Sequence, residues 1–517
     1  MAEWPALMVG PDMLHQASNL NGRRWSGSAL LNAWGKQRRN DVLHLASSDS
    51  SILEQINPVL DGCGHQAPRQ LHGLLHPDPF ATIGGLFLPD PSIGRWSRFR
   101  ERIGAHRFSL IGQIHTLSTP AAQQMLEMMV SEPVQPWDAL ICSSEAGRRV
   151  VEALLHDREA LLQRRFQSNS RPERPQLPVI PLPVPVAAIK AALPTQAEAR
   201  AQLGLPQNAK VCLWLGRLSM ATKLDPWTHY RLLSSAASQL EGELWLVECG
   251  PDDSAEQAAH LERLRGLCPG IRFLRLGGQQ AVSETVKWQA LAAADVAVSL
   301  VDNCQETFGL SLVEAMAAGL PVLASDWDGY RDLVRHGLDG FLVPSRWLPG
   351  AQGASQGLAW AQELGLASFP FVAGALAQLV ALDVEAACAM LLCLLENPTL
   401  ARRMGGQGQK QMGERCEADV VMGRYEELFE ELKARRCAHG DFCSNQPLLS
   451  QDPVRLFEGF ASSGEDTAPQ PACSPPLSAL HPLLKDLREP LWSLALQACS
   501  TDQDREKLRS VLAQKHL

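Results

Sequence analysis

The feature that most constrains this chain is a regular alternation of short apolar runs and helical segments between residues 209 and 343. The segments between the runs carry apolar residues at three- and four-residue spacing, which is the helical period. Strands are predicted at residues 211–216, 244–250, 271–276, 296–300, 321–325 and 340–343. Because these strands are apolar at nearly every position, they indicate a parallel sheet with helices on both faces. Ligands of such a doubly wound domain lie beyond the carboxyl ends of its strands.

The first 185 residues show the same architecture less clearly. Four strands are predicted here, at residues 6–10, 41–47, 108–115 and 138–144, each followed by a loop and a helical segment. Between residues 158 and 185 the chain becomes polar and then proline-rich. Proline removes backbone donors and stiffens the chain, so we interpret this stretch as an interdomain connector.

Two later regions interrupt the strand–helix rhythm. Residues 345–371 are rich in Gly, Ala, Trp and Pro and are interpreted as an insertion, and the helical segments after residue 436 show no recognisable chemistry. We therefore divide the chain into an N-terminal α/β domain (1–185), a C-terminal α/β domain (186–436) and a helical appendage (437–517).

Composition and charge exclude several protein classes. Of the 517 residues 45% are hydrophobic, so the chain can bury a large core, and its apolar stretches are shorter than the ~20 residues of a membrane span. The first ten residues lack the basic start and long apolar run of a secretory signal. A net charge of −9 argues against a nucleic-acid partner, and 13 cysteines without a C-x-x-C pair fit reduced thiols. We expect a cytoplasmic protein.

The strongest chemical signal is the run ETFGLSLVEAMAAGLPVLAS, which starts at Glu306. Glu306 lies in the loop after a predicted strand, and a helix is predicted over residues 308–318. The free amides of its first turn, together with the helix dipole, suit an anion such as phosphate. Glu314 lies about two turns further along, so both carboxylates can flank one ligand and accept hydrogen bonds from ribose or sugar hydroxyls. From spacing alone, an ordinary pair of exposed glutamates remains the simpler interpretation.

With its flanking residues, this run resembles a known family. Residues 306–345 (ETFGLSLVEAMAAGLPVLASDWDGYRDLVRHGLDGFLVPS) are similar to the nucleotide-sugar signature of the retaining family 4 glycosyltransferases, the glycosyl transferases group 1. The strand end Gly216-Arg217-Leu218, followed by Lys223, resembles the Gly-Arg…Lys pair with which that family binds the diphosphate. Arg217 and Lys223 lie six residues apart, whereas the common pattern has five, so the loop is one residue longer here.

The N-terminal domain carries further parts of the resemblance. His115 closes a predicted strand in GQIHTLST, as the family's site histidine does, and SSEAGRRVV and VIPLPVPV look like later elements of the same domain. Taken alone, His115 is equally an ordinary strand-end histidine. The resemblance covers roughly residues 100–435 and implies the GT-B fold, in which two Rossmann-like domains face a cleft.

The resemblance also implies roles for individual residues. Glu314 would hold the ribose hydroxyls, Glu306 the donor sugar, and His115 would face that sugar across the cleft. The implied catalytic residues are Glu306, His115, Arg217 and Lys223. The implied nucleotide-sugar-binding residues are Gly216, Arg217, Lys223, Glu306, Phe308, Gly309, Leu310 and Glu314.

These roles are chemically reasonable because a nucleotide diphosphate gains negative charge as the sugar–oxygen bond breaks. Two fixed cations at a strand end, Arg217 and Lys223, can stabilise that charge, each charge-assisted bond contributing about 1.5–3 kcal/mol. We therefore expect no metal and no other cofactor. Asp326-Trp-Asp328 is predicted to cap the helix beginning near residue 329 rather than to bind a metal.

The segment after the first strand departs from the family, which usually carries a Gly-rich turn there. Residues 18–30, with Gly22, Arg23, Arg24 and Gly27, are predicted to be a loop that wraps the donor phosphates, meets the acceptor or simply lies on the surface. The pairs Arg148/Arg149 and Arg164/Arg165 fit an anionic acceptor or lipid headgroups, and also an ordinary solvated face. The residues leave these alternatives open.

The resemblance implies a retaining glycosyltransferase that moves a sugar from a UDP- or GDP-sugar to a hydroxyl of a glycan, lipid-linked or other acceptor. Synthesis of polysaccharide, lipopolysaccharide or another glycoconjugate is the expected context, at the cytoplasmic face of the membrane if the protein contacts one. Two alternatives stay open. One is a sugar-nucleotide epimerase or hydrolase with the same fold, and the other is a glycan-binding or scaffold protein that has lost turnover.

Overall fold

A computed structural model of the chain describes residues 4–14, 22–439, 452–460 and 482–514. Its strands are β1 (Ala6–Met8), β2 (Leu43–Ala46), β3 (Arg69–His72), β4 (Gly85–Phe87), β5 (Ser109–Gln113), β6 (Ala139–Ile141), β7 (Lys210–Leu215), β8 (Leu244–Cys249), β9 (Ile271–Leu276), β10 (Val296–Ser299), β11 (Val322–Ser325), β12 (Gly340–Val343), β13 (Ser345–Trp347) and β14 (Val380–Leu382). Its helices are α1 (Gly22–Gln37), α2 (Ile52–Gly62), α3 (Asp78–Ile83), α4 (Ile93–Glu101), α5 (Pro120–Ser131), α6 (Glu145–Phe166), α7 (Val186–Ala192), α8 (Gln196–Leu203), α9 (Pro226–Ala237), α10 (Ala255–Arg265), α11 (Glu284–Ala293), α12 (Leu310–Ala317), α13 (Tyr330–Leu333), α14 (Ala351–Glu363), α15 (Phe369–Ala377), α16 (Val384–Glu396), α17 (Pro398–Arg415), α18 (Ala418–Ala438), α19 (Pro453–Leu456), α20 (Pro482–Ala498) and α21 (Asp502–Gln514). Short 3₁₀ turns lie at Pro11–Met13 and Glu458–Phe460.

The strands form two six-stranded parallel sheets, one in each α/β domain. The strand orders are β3-β2-β1-β4-β5-β6 and β9-β8-β7-β10-β11-β12. Both sheets therefore have the doubly wound order 3-2-1-4-5-6, in which the winding direction reverses between the first and fourth strands. This arrangement confirms the predicted pair of Rossmann-like domains. It also marks β7 and β10 as the neighbours between which a ligand crevice opens in the C-terminal domain.

The sequence predicted the C-terminal sheet better than the N-terminal sheet. All six strands predicted in the C-terminal domain are observed, as are the four predicted in the N-terminal domain. The prediction missed β3 and β4. The sequence of β3 is RQLH, an edge strand whose residues are partly exposed, and β4 is only three residues long. Neither carries the long apolar run on which the prediction depended.

The proline-rich stretch is more than a connector, because its first part extends the N-terminal sheet. Gln176 and Ile180 donate backbone hydrogen bonds to Asp138 O at 2.8 Å and Cys142 O at 3.0 Å, along the edge strand β6. Prolines stand at every third position here (Pro175, Pro178 and Pro181), so these two N–H groups remain to pair with the strand. The crossing to the C-terminal domain therefore follows residue 180.

The chain returns to the N-terminal domain through α18, which the sequence-based division assigned to the C-terminal domain. Its apolar side chains belong to the same core cluster as the residues around β1, β2 and α1. Phe429 packs with its ring centroid 5.4 Å from that of Trp4, and Trp4 lies 5.0 Å from Trp34. These edge-on aromatic contacts stabilise the return crossing, so α18 ties the two domains together.

The insertion and the described parts of the appendage make defined contacts. β13 and β14 pair antiparallel and enclose α14 and α15, so the insertion extends to Leu382 rather than ending at the predicted residue 371. In the appendage α20 packs on α21, and Gln497 O lies 2.8 Å from His76 Nε2 of the N-terminal domain. In the part of the chain that the structure describes, no helix alone has the length and apolarity to cross a bilayer, and only α16 with α17, bent by 101°, meets those two criteria jointly.

Candidate functional site

The candidate site lies at the carboxyl ends of β7 and β10. These strands are neighbours in the sheet, and the connections that leave them diverge to opposite sides. This is the place where doubly wound sheets bind ligands. Residues 216–223 follow β7 and residues 300–309 follow β10, so the two segments that carry the predicted cations and Glu306 meet at one crevice.

The loop after β7 is built on glycine. Gly216 has φ 135°, and a Cβ at Gly250 would lie 2.0 Å from Gly216 O, so these two backbones touch. Ser219 then closes a turn, accepting hydrogen bonds from Thr222 N at its Oγ (3.1 Å) and from Lys223 N at its carbonyl (3.0 Å). This turn accommodates the extra residue between Arg217 and Lys223 and returns the lysine side chain to Gly216.

Arg217 is held at the strand end by an acidic partner. Its Nη1 donates to Asp253 Oδ1 at 2.9 Å, and Asp253 Oδ2 accepts from Ser219 Oγ at 2.9 Å. The arginine side chain is 34% exposed. A guanidinium carries five N–H donors, more than the single bond to Asp253 uses. The arrangement can therefore present further donors to an anion without releasing Asp253.

Lys223 and Glu306 form a largely buried ion pair between the two loops, with side chains 16% and 17% exposed. Burial is the largest single influence and lowers the pKa of Lys223, but the charge and hydrogen bond of Glu306, together with Tyr330 and Asp328, outweigh it and raise that pKa. The pairing likewise lowers the pKa of Glu306 against the effect of burial, assisted by the N–H groups of Phe308 and Gly309. Both groups are therefore charged at neutral pH.

The helix after Glu306 begins at Leu310, two residues later than predicted. Gly309 adopts the left-handed conformation (φ 108°), and a Cβ there would lie 2.5 Å from Cε1 of Tyr330. The N–H groups of Phe308 and Gly309, expected to face a phosphate, lie close enough to the Glu306 carboxylate to lower its pKa. A donor phosphate would therefore have to take these amides over from Glu306.

Glu314 is also paired, with a lysine that sequence reasoning missed. Lys287 Nζ donates to Glu314 Oε1 at 2.7 Å, and both side chains are mostly buried. The ammonium group lies 4.5 Å from the ring of Trp288 and 5.8 Å from that of Trp25, which the N-terminal domain contributes. Lys287 is the one basic residue of α11, and a tryptophan follows it. This Lys-Trp pair is the feature of the sequence that could have marked the lysine as a site residue.

His115 lies opposite these loops, at the edge of the N-terminal domain. Thr307 Oγ1 donates to His115 O at 2.9 Å, so the residue next to Glu306 contacts the segment that carries the histidine. A second interdomain hydrogen bond joins Glu145 N to Asp332 Oδ2 at 2.5 Å. The structure thus brings His115 to the Glu306 loop, and the chemical role of its ring remains a prediction.

Tyr330 and Asp328 also lie beside Glu306, although the sequence did not predict them as site residues. The Tyr330 hydroxyl hydrogen-bonds Ser299 Oγ at 2.7 Å, and burial raises the pKa of this tyrosine. Asp328 Oδ1 accepts from Tyr330 N at 3.2 Å, in keeping with its expected place at the start of α13. Burial, together with the charge of Glu306, raises the pKa of Asp328 well above its ordinary value.

The prediction of a loop over residues 18–30 is wrong for its larger part. Residues 18–21 lie outside the described chain, and α1 begins at Gly22. A Cβ at Gly27 would lie 3.0 Å from Met13 Cα, so this glycine permits close packing of the helix. Trp25, on the same helix, packs against the core of the C-terminal domain. The glycines that suggested a phosphate-binding turn are thus part of a helix.

Comparison with known proteins shows which fold and which family model this chain resembles. Residues 195–352 match the family model of the glycosyl transferases group 1, a span that contains Arg217, Lys223, Glu306 and Glu314. Anabaena HepE in complex with UDP superposes with a TM-score of 0.50 at 17% identity, over 83% of this chain and all of that one. Sucrose-phosphate synthase from Thermosynechococcus elongatus matches with the same TM-score and identity, over 83% and 99% of the two chains. The chain has the GT-B fold, and within its C-terminal domain residues 195–352 are similar to the glycosyl transferases group 1.

Curated relatives are similar in sequence over part of their length. A D-inositol 3-phosphate glycosyltransferase of Thermobispora bispora is 28% identical over 45% of this chain and 54% of its own length. A phosphatidyl-myo-inositol mannosyltransferase of Mycolicibacterium smegmatis is 27% identical over 57% of this chain and 76% of its own. This chain thus spans about half the length of the first relative and three quarters of the second.

Proposed function

We propose that this protein is a retaining glycosyltransferase that transfers a sugar from a nucleotide diphosphate-sugar to an acceptor hydroxyl. The observation that carries the proposal is the buried Lys223–Glu306 pair at the strand-order reversal of a group 1 domain. Arg217 lies at the same strand end and His115 on the facing domain. A cation for the diphosphate and a carboxylate for the sugar therefore stand side by side.

The geometry supports a specific division of labour. As the sugar–oxygen bond breaks, Arg217 and Lys223 stabilise the charge that develops on the diphosphate. To reach the diphosphate, Lys223 exchanges part of its contact with Glu306 for a phosphate oxygen. The Glu306 carboxylate can then accept hydrogen bonds from the donor sugar. Glu314 accepts from the ribose hydroxyls while it remains paired with Lys287. In a front-face reaction the departing phosphate takes the proton of the acceptor hydroxyl, and no metal is required by this scheme.

The comparisons support the donor and acceptor classes that we propose. HepE was solved with UDP, and the relative from M. smegmatis is named for mannosyl transfer to a phosphatidylinositol. We propose a UDP- or GDP-sugar donor and a glycan or lipid-linked hydroxyl acceptor, used in glycoconjugate synthesis at the cytoplasmic face of a membrane. Arg148 contributes little free charge to such a surface, because Glu145 and Glu152 both bind it.

A donor screen tests the proposal. The wild-type protein is incubated with a panel of UDP- and GDP-sugars, with and without glycan and lipid-linked acceptors, and products are read by mass spectrometry. We expect transfer only when an acceptor is present, and a loss of transfer by at least about 100-fold in Glu306→Gln and Arg217→Ala. The matched control is Glu256→Gln on the exposed face of α10, which should retain wild-type turnover.

Three results would contradict the proposal. Donor conversion that needs no acceptor would indicate an epimerase or hydrolase. Calorimetry that shows binding of neither UDP nor GDP would indicate a scaffold protein. Wild-type turnover in Glu306→Gln or Arg217→Ala would remove that residue from the site.

A further inference from the structure

Asp328 has a backbone conformation that non-glycine residues rarely adopt. Its φ is 39°, and the only other non-glycine residue with positive φ in the described chain is Gln167, which ends α6. Asp328 is placed differently, in the short loop between β11 and α13. Backbone strain of this kind is retained where the surrounding structure requires it, and it concentrates at ligand-binding sites.

Only one of the two carboxyl oxygens of Asp328 accepts a hydrogen bond in the described structure. Oδ1 accepts a hydrogen bond from Tyr330 N, and the N–H of Gly329 also lies close to the carboxyl group, whereas Oδ2 is buried and makes no hydrogen bond with the described residues. Most buried acceptors have a partner, because the loss of hydration is otherwise uncompensated. An Asp that served only to cap the helix would not need to bury its second oxygen. The unused oxygen therefore points to a donor that a ligand supplies.

The surroundings of Asp328 place this oxygen at the donor site. A Cβ at Gly329 would lie 2.5 Å from Thr307 O, so the Asp328 loop packs directly on the Glu306 segment. The charges of Glu306 and Lys223 both act on Asp328. The two loops thus bring two carboxyl groups and one ammonium group together.

The insertion supports the same loop from its other side. Trp327 Nε1 donates to Asn303 O at 3.1 Å, and the Trp327 ring lies 5.2 Å from the ring of Trp347 on β13. Asn303 Nδ2 in turn donates to Ala221 O at 2.8 Å, in the Lys223 loop. The position of Asp328 is therefore determined by packing on both sides.

We propose that Asp328 is a specificity-determining residue that binds a hydroxyl group of the transferred sugar through Oδ2. The proposal rests on the glycosyltransferase function proposed above. A sugar hydroxyl both donates and accepts, so it can pair with the carboxyl group in either protonation state. A phosphate oxygen fits Oδ2 less well than a sugar hydroxyl does, because the negative charge of Glu306 acts at the same place.

Donor kinetics of Asp328→Gly test this assignment. Glycine adopts the observed φ without strain, so the variant should fold at least as stably as the wild-type protein. We expect KM for the sugar nucleotide to rise about tenfold, as for the loss of one hydrogen bond. The order of preference among donors that differ at single hydroxyls should change, while the affinity for UDP or GDP alone stays unchanged.

Two companion variants sharpen the result. Asp328→Asn also tolerates a left-handed conformation and can bond a hydroxyl, so it should recover part of the donor affinity. Asp326→Asn is the matched control, since Asp326 lies two residues away and pairs on the surface with Arg331 Nε at 3.0 Å. This control should keep the wild-type KM and donor order.

The outcomes separate this proposal from the proposed function. An unchanged donor KM and donor order in Asp328→Gly would overturn the role of Asp328 while leaving the transferase in place. An equal loss of affinity for UDP or GDP alone would also overturn it, because Asp328 would then only shape the loop. A wild-type protein that binds neither nucleotide would overturn both proposals, before any variant is measured.

Discussion

Replacing Lys223 by methionine is the most direct test of the electrostatics at the site. The substitution keeps most of the side-chain length but leaves the Glu306 carboxylate, 17% exposed, without its cation. Removing one partner of a buried ion pair typically costs about 3–5 kcal/mol, because the other charge stays desolvated and unpaired. We therefore expect the free energy of unfolding of Lys223→Met, measured by urea denaturation, to fall by about that amount.

A double variant separates the unpaired charge from simple loss of packing. In Lys223→Met/Glu306→Gln the glutamine is neutral, and its amide oxygen can still accept the N–H groups of Phe308 and Gly309. The double variant should recover most of the lost stability, which corresponds to a coupling energy of about 2–3 kcal/mol between the two positions. The coupling requires the two single variants as references, measured under the same conditions.

The dependence of stability on pH provides an independent check. The lowered pKa of Glu306 means that its contribution is complete above the ordinary value of 4.5 and is lost as the pH falls below it. The raised pKa of Lys223 means that its contribution is complete below 10.5 and is lost above it. In Lys223→Met the buried Glu306 carboxylate has a raised pKa instead, so that variant should gain stability as the pH falls from about 7 to 5.

Two results would refute this reasoning. One is a cost below about 1 kcal/mol for Lys223→Met, the range typical of an exposed pair. The other is a pH dependence of the single variant that parallels that of the wild-type protein between about pH 5 and 7. Either result would mean that Glu306 is hydrated rather than buried with Lys223.

Further variants test other contacts of the site. Gly309→Ala should lower the free energy of unfolding by about 2–4 kcal/mol in urea denaturation, because its Cβ meets Tyr330 and its φ is left-handed; an unchanged midpoint would contradict the close approach. Lys287→Met should cost about 3–5 kcal/mol in the same assay by leaving Glu314 unpaired, and equal stability would show that this pair is solvated. Arg217→Lys should reduce kcat/KM about 10- to 100-fold without changing the thermal midpoint, since lysine cannot bind a phosphate through a planar fork; wild-type kinetics would exclude bidentate binding.

The strands were predictable where burial leaves a local trace. A central parallel strand such as β7 (KVCLWL) is buried on both faces, so its apolar run is visible without any knowledge of its neighbours. The edge strand β3 (RQLH) is partly exposed, and only its pairing with β2 makes it a strand. The pairing of the proline-rich stretch with β6 was unpredictable for the same reason. It depends on the N–H groups of the residues between the prolines, and the proline content does not reveal it.

The candidate site was predictable as a set of residues and not as a set of contacts. Glu306, Glu314, Arg217 and Lys223 stood out through their places at strand ends and their likeness to one family. Their partners did not stand out. Lys287 lies in a helix with no motif of its own, and Glu314 is 27 residues away from it along the chain.

Two doubly wound domains, and the strand ends at which charged residues gather, follow from the amino-acid pattern, because hydrophobic period and local signatures are short-range properties. Which charges neutralise one another depends on the folded chain. Lys223 and Glu306 are 83 residues apart and meet because β7 and β10 are neighbours in the sheet. The folded chain also places α18 in the N-terminal core and gives Asp328 its left-handed backbone conformation beside Glu306. Such contacts depend on distances between remote segments, which no local pattern encodes.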